Sequence, residues 1–234
     1  MSANILVWIE QHGGAALPVA WEVLGAARQL ADGGTVTALV CGQNVGEVVQ
    51  QAFAYGADAV IKADDASLAH YRFAPYVALV VQVVKQHNPA AVLAGATTAG
   101  REVLAGAAAD LDAGLLNDVT ELTLTGGRLN GVHPVMGGKA LSLQAVVGSG
   151  PQFAALRARA FKPLAPDTSR SGNVIEATAV IAENDINTKV ESVEQETGKV
   201  SLTDASIIVS AGRGVGGPDG FAPVRELAEV LGAA

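Results

Sequence analysis

Cysteine occurs once in the 234 residues, at Cys41, so neither an intrachain disulfide framework nor a thiolate metal cluster is available. That usage fits a reducing compartment. Aromatic residues make up only 4% of a chain that is 50% hydrophobic, so the core must be built from Ala, Val, Leu and Ile, a composition that favours close packing of helices on a sheet. Basic residues are the minority, 15 Lys and Arg against 23 Asp and Glu, for a formal charge of −8. No run of Lys or Arg is long enough to track a phosphate backbone, which argues against nucleic acid as a partner. Apolar runs of the ~18 residues a membrane span requires are also missing, which argues against direct membrane insertion, and no basic leader precedes Ile5, Leu6 and Val7. A cytoplasmic protein of bacterial type is expected. His12, His70, His87 and His133 lack ligand spacing and read as solvated loop residues, while Asp64, Asp65, Asp110, Asp112 and Asp118 lack the alternate-position spacing of a calcium loop and read as surface charges. With no nucleophile elbow and no Ser, His and Asp arrangement, any redox work must belong to a cofactor.

What the sequence does hold, from Asn4 to about Leu111, is an alternation of apolar strands with helical patterns, the signature of a parallel sheet covered by helices. Strands are expected at residues 5–8, 36–40, 59–61 and 91–94. The first helix is predicted to open at Pro18 and stop near Gly33 and Gly34, burying Val19, Val23, Ala26, Ala27 and Leu30. The second follows a capping box of Asn44 and Glu47 and ends at Gly56. The third begins near Pro75 with Val77, Val80, Val81 and Val84 on one side. The fourth runs out of GATTAGRE, residues 95–102, and ends near Gly114. Loops at the carboxyl ends of such strands form the binding crevice, so Thr97, Thr98 and Arg101 are possible phosphate donors, although a purely structural role is favoured for them. After Asp118 come short runs with hairpin signals, residues 120–124, 129–135 and 141–147, expected to extend or cap the sheet. A further strand is predicted at 174–182, and the polar, acidic residues 183–199 read as a linker or edge segment.

The most specific stretch lies near the C-terminus. DASIIVSAGRGVGGPDGFAPVRELAEVL, residues 204–231, divides into a buried-strand run at 206–210, a turn containing Gly212, Arg213, Gly214, Gly216 and Gly217, and a helix with Phe221, Val224, Leu227, Ala228 and Leu231 at helical spacing. Glycines let a backbone approach a ligand closely, and a guanidinium can grip phosphate oxygens in a bidentate manner. The spacing matches neither the dinucleotide fingerprint nor a Walker loop, so on chemistry alone an anion cradle and a bare structural turn are equally open.

IIVSAGRGVGGPDGF followed by ELAEVLG resembles the start of the flavin-binding domain of the electron transfer flavoprotein alpha subunit, where a strand ends in S-G-G-R-G. Ala211 stands where that family has the first glycine, so a left-handed backbone there would be strained. GATTAGREVLAGAAADLDAGLLNDVTEL and GPQFAALRARAFKP, the latter retaining Pro151, Gln152, Ala154, Arg157, Phe161 and Lys162, also resemble stretches of the family, so the likeness covers nearly the whole chain. It implies a three-layer α/β/α domain with a mostly parallel sheet, adenine nucleotide alpha hydrolase-like, over residues 1–185. A linker or edge segment at 186–203 follows, and then the first β-α unit of a Rossmann-like FAD domain at 204–234. It also implies FAD contacted by Arg213, with Gly212 and Gly214 beside it, and an electron carrier rather than an enzyme. The implied partners are a beta subunit, acyl-CoA or other flavin dehydrogenases as donors, and a quinone oxidoreductase as acceptor. The family's later G-A-S-R, Q-V-G-Q-T-G and G-I-S-G-A-x-Q-H stretches lie past Ala234, so the FAD site is expected to be incomplete in these residues. The alternatives are a nucleotide-binding or regulatory α/β module using residues 95–101, and a purely structural partner of a beta subunit.

Overall fold

The computed structural model describes residues 2–194, 202 and 205–234, in two compact units, the chain dividing between Lys189 and Val190. The first unit is built on strands β1 (Ile5–Ile9), β4 (Val36–Gly42), β5 (Ala59–Asp64), β6 (Ala91–Gly95), β7 (Gly114–Val119), β11 (Gln152–Leu156) and β12 (Asn173–Glu176). They form one seven-stranded sheet in the order β12-β5-β4-β1-β6-β11-β7, and every pairing is parallel. A short hairpin, β2 (Gln11–His12) with β3 (Ala15–Ala16), follows β1. The helices are α1 (Pro18–Ala31), α2 (Gly46–Ala54), α3 (Phe73–His87) and α4 (Thr98–Asp110).

Strands β1, β6 and β11 are buried at every position, which is why their sequences run apolar without alternation. Alternate residues serve opposite cores. Ile5, Val7 and Ile9 pack with α1 and α2 side chains such as Leu24 and Phe53, whereas Leu6 and Trp8 pack with α3 and α4 side chains such as Leu79 and Leu104. The predicted α1 face is buried at Val19, Val23, Ala26 and Ala27, with Leu30 half-buried.

The Asn44 and Glu47 capping box does not form. Asn44 is left-handed at φ 57, Val45 is the N-cap without a side-chain bond, and the Asp64 carboxylate accepts from the amides of Asn44 (2.8 Å) and Val45 (3.3 Å). The runs after Asp118 make their own antiparallel sheet of β8 (Glu121–Thr125), β9 (Arg128–Val135) and β10 (Ala140–Ala145). Leu122, Leu124 and Leu129 on its inner side pack on the first core, while Leu141 and Leu143 on β10 are exposed. The strand predicted at 174–182 pairs only over β12, because Ala177 makes the last sheet-type bond, to the Lys62 carbonyl. Between β11 and β12 the chain crosses α1 and α2 as a strap. The Lys162 carbonyl lies against Gly25, Leu164 against Gly56, and the Asp167 amide donates to the Ala54 carbonyl at 3.0 Å.

In the second unit, residues 206–210 do not form the predicted strand. No neighbouring strand is offered among the described residues; the only sheet-like bonds run from Val209 N to Ala234 O (2.9 Å) and from Ala234 N to Ile207 O (3.1 Å). The predicted helix is present as α5 (Ala222–Leu231), ending on left-handed Gly232, and it buries no residue. Part of the expected linker, 195–201 and 203, and the first residue of the expected FAD-domain start, 204, lie outside the described residues.

Candidate functional site

The glycine-rich turn before α5 is two short 3-10 turns, Arg213–Val215 and Pro218–Phe221. Gly216 must be glycine-like at φ 82, and Gly220 presses against the Val215 carbonyl, where a Cβ would not fit. Gly212 and Gly214 differ: a Cβ at either would meet nothing within 4 Å. Their flanks are therefore open to a ligand. Ala211 is not left-handed, so its methyl group costs the turn nothing. Arg213 is exposed and pairs with no carboxylate among the described residues. An unpaired guanidinium set between open glycines suits the anionic or electron-rich part of a cofactor.

A second crevice lies in the first unit, at the carboxyl ends of β1 and β6, where the chain order reverses. Thr97 caps α4 by accepting from the Gly100 amide at 2.9 Å, and its hydroxyl donates to Glu10 Oε2. Glu10 is 5% exposed, and burial raises its carboxyl above the ordinary range, opposed by the Thr97 bond and by His12, whose Nε2 lies 3.5 Å from Oε1. Beside it Tyr71 donates to Glu102 Oε2 at 2.9 Å. Arg101 turns away to Asp118 (3.6 Å). The position a phosphate would take is thus faced by carboxylates and closed by an internal bond. The nucleotide-module reading of Gly95 to Arg101 finds no support in this geometry.

Asp118 is not a loose surface charge. It sits at the end of β7 with φ 55 and receives Arg157 in a fork, Nε to Oδ1 at 3.0 Å and Nη2 to Oδ2 at 2.7 Å. The Arg157 bonds, with Arg101 adding to them, hold its carboxyl below the usual range. His133 is likewise built in, half-buried on β9 with Nδ1 2.9 Å from the Asp118 carbonyl. His12, His70 and His87 are exposed as expected. Cys41 is buried and accepts from Trp8 Nε1 at 3.2 Å; burial pushes its thiol up to about 12, so it serves as a packed apolar residue. No group of three His, Cys, Asp or Glu residues among those described could hold a metal ion, and no helix there is long and apolar enough to cross a membrane.

Sequence reasoning named Gln152 only as part of a family likeness and gave it no role. It opens β11 and ties three segments together, accepting from Leu129 N (2.8 Å) and donating to Gly127 O (2.8 Å) and Ala90 O (3.4 Å). A polar residue heading the apolar run FAAL was the available signal.

Residues 5–182 match the model of the electron transfer flavoprotein domain. The chain is 38% identical over 233 residues to the electron transfer flavoprotein subunit alpha of Thermoanaerobacterium thermosaccharolyticum, covering 98% of this chain and 71% of that protein. Against the Bacillus subtilis protein of the same name it is 35% identical over 236 residues, covering 100% and 71%. Protein FixB of Azorhizobium caulinodans is 35% identical over 238 residues, with 98% of this chain and 64% of that protein covered.

Proposed function

The chain belongs to the electron transfer flavoprotein family, and from that premise we propose that it is an alpha-type electron carrier that binds FAD with Arg213, Gly212 and Gly214. The observation that carries this reading is the extent of the likeness to alpha subunits, which spans both units and includes the turn. When bound, the flavin supplies reversible uptake and release of electrons. The role of the chain is to hold and orient it. Arg213 offers a fixed positive charge, and the open flanks of Gly212 and Gly214 let the backbone come close. No side-chain nucleophile or acid–base pair is needed, which suits a carrier rather than a catalyst of substrate turnover.

The partner is a beta subunit. An exposed apolar pair on β10, Leu141 and Leu143, with Val147 just beyond, is the kind of surface that a protein partner covers. Electrons come from acyl-CoA or other flavin dehydrogenases and pass to a quinone oxidoreductase, in the cytoplasm. Co-expression of the full-length reading frame with the cognate beta subunit tests this: the purified pair should be yellow, carry FAD and bleach when an acyl-CoA dehydrogenase and its substrate are added. A stable pair that carries no flavin would sink the proposal.

A further inference from the structure

Arg72 stands just before α3, and its side chain is only 8% exposed. Its guanidinium donates to both carboxylate oxygens of Glu183, at 2.9 and 2.6 Å, to the Thr188 carbonyl at 3.2 Å, and to the Ser67 carbonyl at 2.6 Å. Glu183 and Thr188 belong to the last stretch of the first unit, just ahead of its boundary at Lys189 and Val190. That stretch has already left the sheet, since Ala177 makes the final bond to β5. It forms one short turn, Glu183–Asp185.

The pair is asymmetric. Arg72 is held from inside by Ser67, whereas the Glu183 side chain is 61% exposed. Water can solvate the carboxylate once it leaves, while the guanidinium keeps a carbonyl acceptor. The Arg72 Nε and the Ser67 hydroxyl are buried without hydrogen-bond partners, so the closed corner leaves two polar groups unmet. Such a contact can open without disturbing the sheet.

We propose that Arg72 and Glu183 form a latch that fixes where the chain leaves the first unit. Closed, the connection toward the Arg213 turn starts near residue 189. Open, it starts near residue 177, and the added dozen residues reach up to roughly 40 Å when extended at ~3.3–3.6 Å each. The latch thus sets how much of the chain after β12 is held on the first unit. That the turn carries flavin rests on the function proposed above; the latch itself does not.

Hydrogen exchange on the full chain separates the two. In Glu183→Gln, amides of residues 178–188, including the bonded amides of Asp185 and Ile186, should exchange about tenfold faster or more, the loss expected for a charged hydrogen bond. Strands β1, β4 and β6 should be unchanged. Arg72→Met should release the same residues, and higher ionic strength should speed the wild type while leaving Glu183→Gln as it is. Unchanged exchange at 178–188 in Glu183→Gln would overturn the latch, as would faster exchange spread equally over the central strands. Flavin content plays no part in either readout.

Discussion

Gly25 lies midway along α1, where a methyl group would strike the Lys162 carbonyl of the strap. Alanine is the better helix former by ~1 kcal/mol, but backbone cannot swing aside as a side-chain tip can, and overpacking costs ~1–3 kcal/mol. Gly25→Ala should therefore lower the melting temperature, by about 2–4 °C for each net kcal/mol lost; a rise would show that the strap yields. Two carboxyls near the sheet's carboxyl edge should respond to pH in opposite senses. The bonds of Arg157 lower Asp118, so its contribution is full above the unfolded carboxyl value of ~3.9 and is lost as pH falls through the lower folded value. Burial raises Glu10, so its contribution is full below ~4.3 and is lost as pH rises through the folded value. Denaturant melts from pH 2 to 7, at roughly unit steps across these values, should show Asp118→Asn flattening the acid limb and Glu10→Gln flattening the limb above it. Arg213→Ala in the flavin-bound pair with a beta subunit should weaken FAD retention by about one to two decades, from the ~1.5–3 kcal/mol of a charged hydrogen bond. Equal retention through dialysis would remove Arg213 from the site.

At the level of elements, the central strands and four helices were legible because burial on both faces leaves an unbroken apolar run and a helix with one buried face leaves a 3.6-residue period. The strand at 206–210 failed on the same rule. IIV reads as a buried strand, but a strand exists only beside another, and Ile207 and Ile208 remain exposed. Strand β11 carries the converse lesson: its residues were noticed for their family likeness, yet nothing local says that they enter between β6 and β7. Of the turn, sequence could offer residue types and a resemblance, but not the open flanks of Gly212 and Gly214 or the absence, among the described residues, of an ion-pair partner for Arg213. Helix α5 has ten residues and buries none, below the ~12–15 at which even isolated helices become marginal. Its N-terminus contributes ~0.3–1 kcal/mol toward an anion, up to ~2 when partly buried, against the ~8 kcal/mol of micromolar binding. Adding FAD to this chain without a partner should give no saturable fluorescence quenching in the micromolar range, and saturation there would mean that the turn is better supported than its contacts suggest.

For the whole molecule, residues 2–189 contain both cores and the latch contacts, so a fragment ending at Lys189 should melt in one cooperative transition. One ending at residue 182 should melt likewise, having lost Glu183 but no strand; a fragment ending at 189 that shows no transition would mean that the boundary is misplaced. The position of β11 also bears on how the chain emerges from a ribosome. Strands β6 and β7 are complete well before their shared neighbour exists, and residues 120–151 must be made first. At ~5–20 residues per second that wait is roughly 2–6 s. Throughout it β6 has a bare edge and β7 has nothing to pair with, the condition under which nascent chains associate edge to edge. What is synthesised meanwhile is the β8, β9 and β10 meander, whose neighbours in space are neighbours in sequence, so it can form locally while the gap stays open. Codon changes that slow translation over residues 120–151 should therefore increase aggregation of the nascent chain, whereas refolding of the finished chain from denaturant, in which every strand is present at once, meets no such interval.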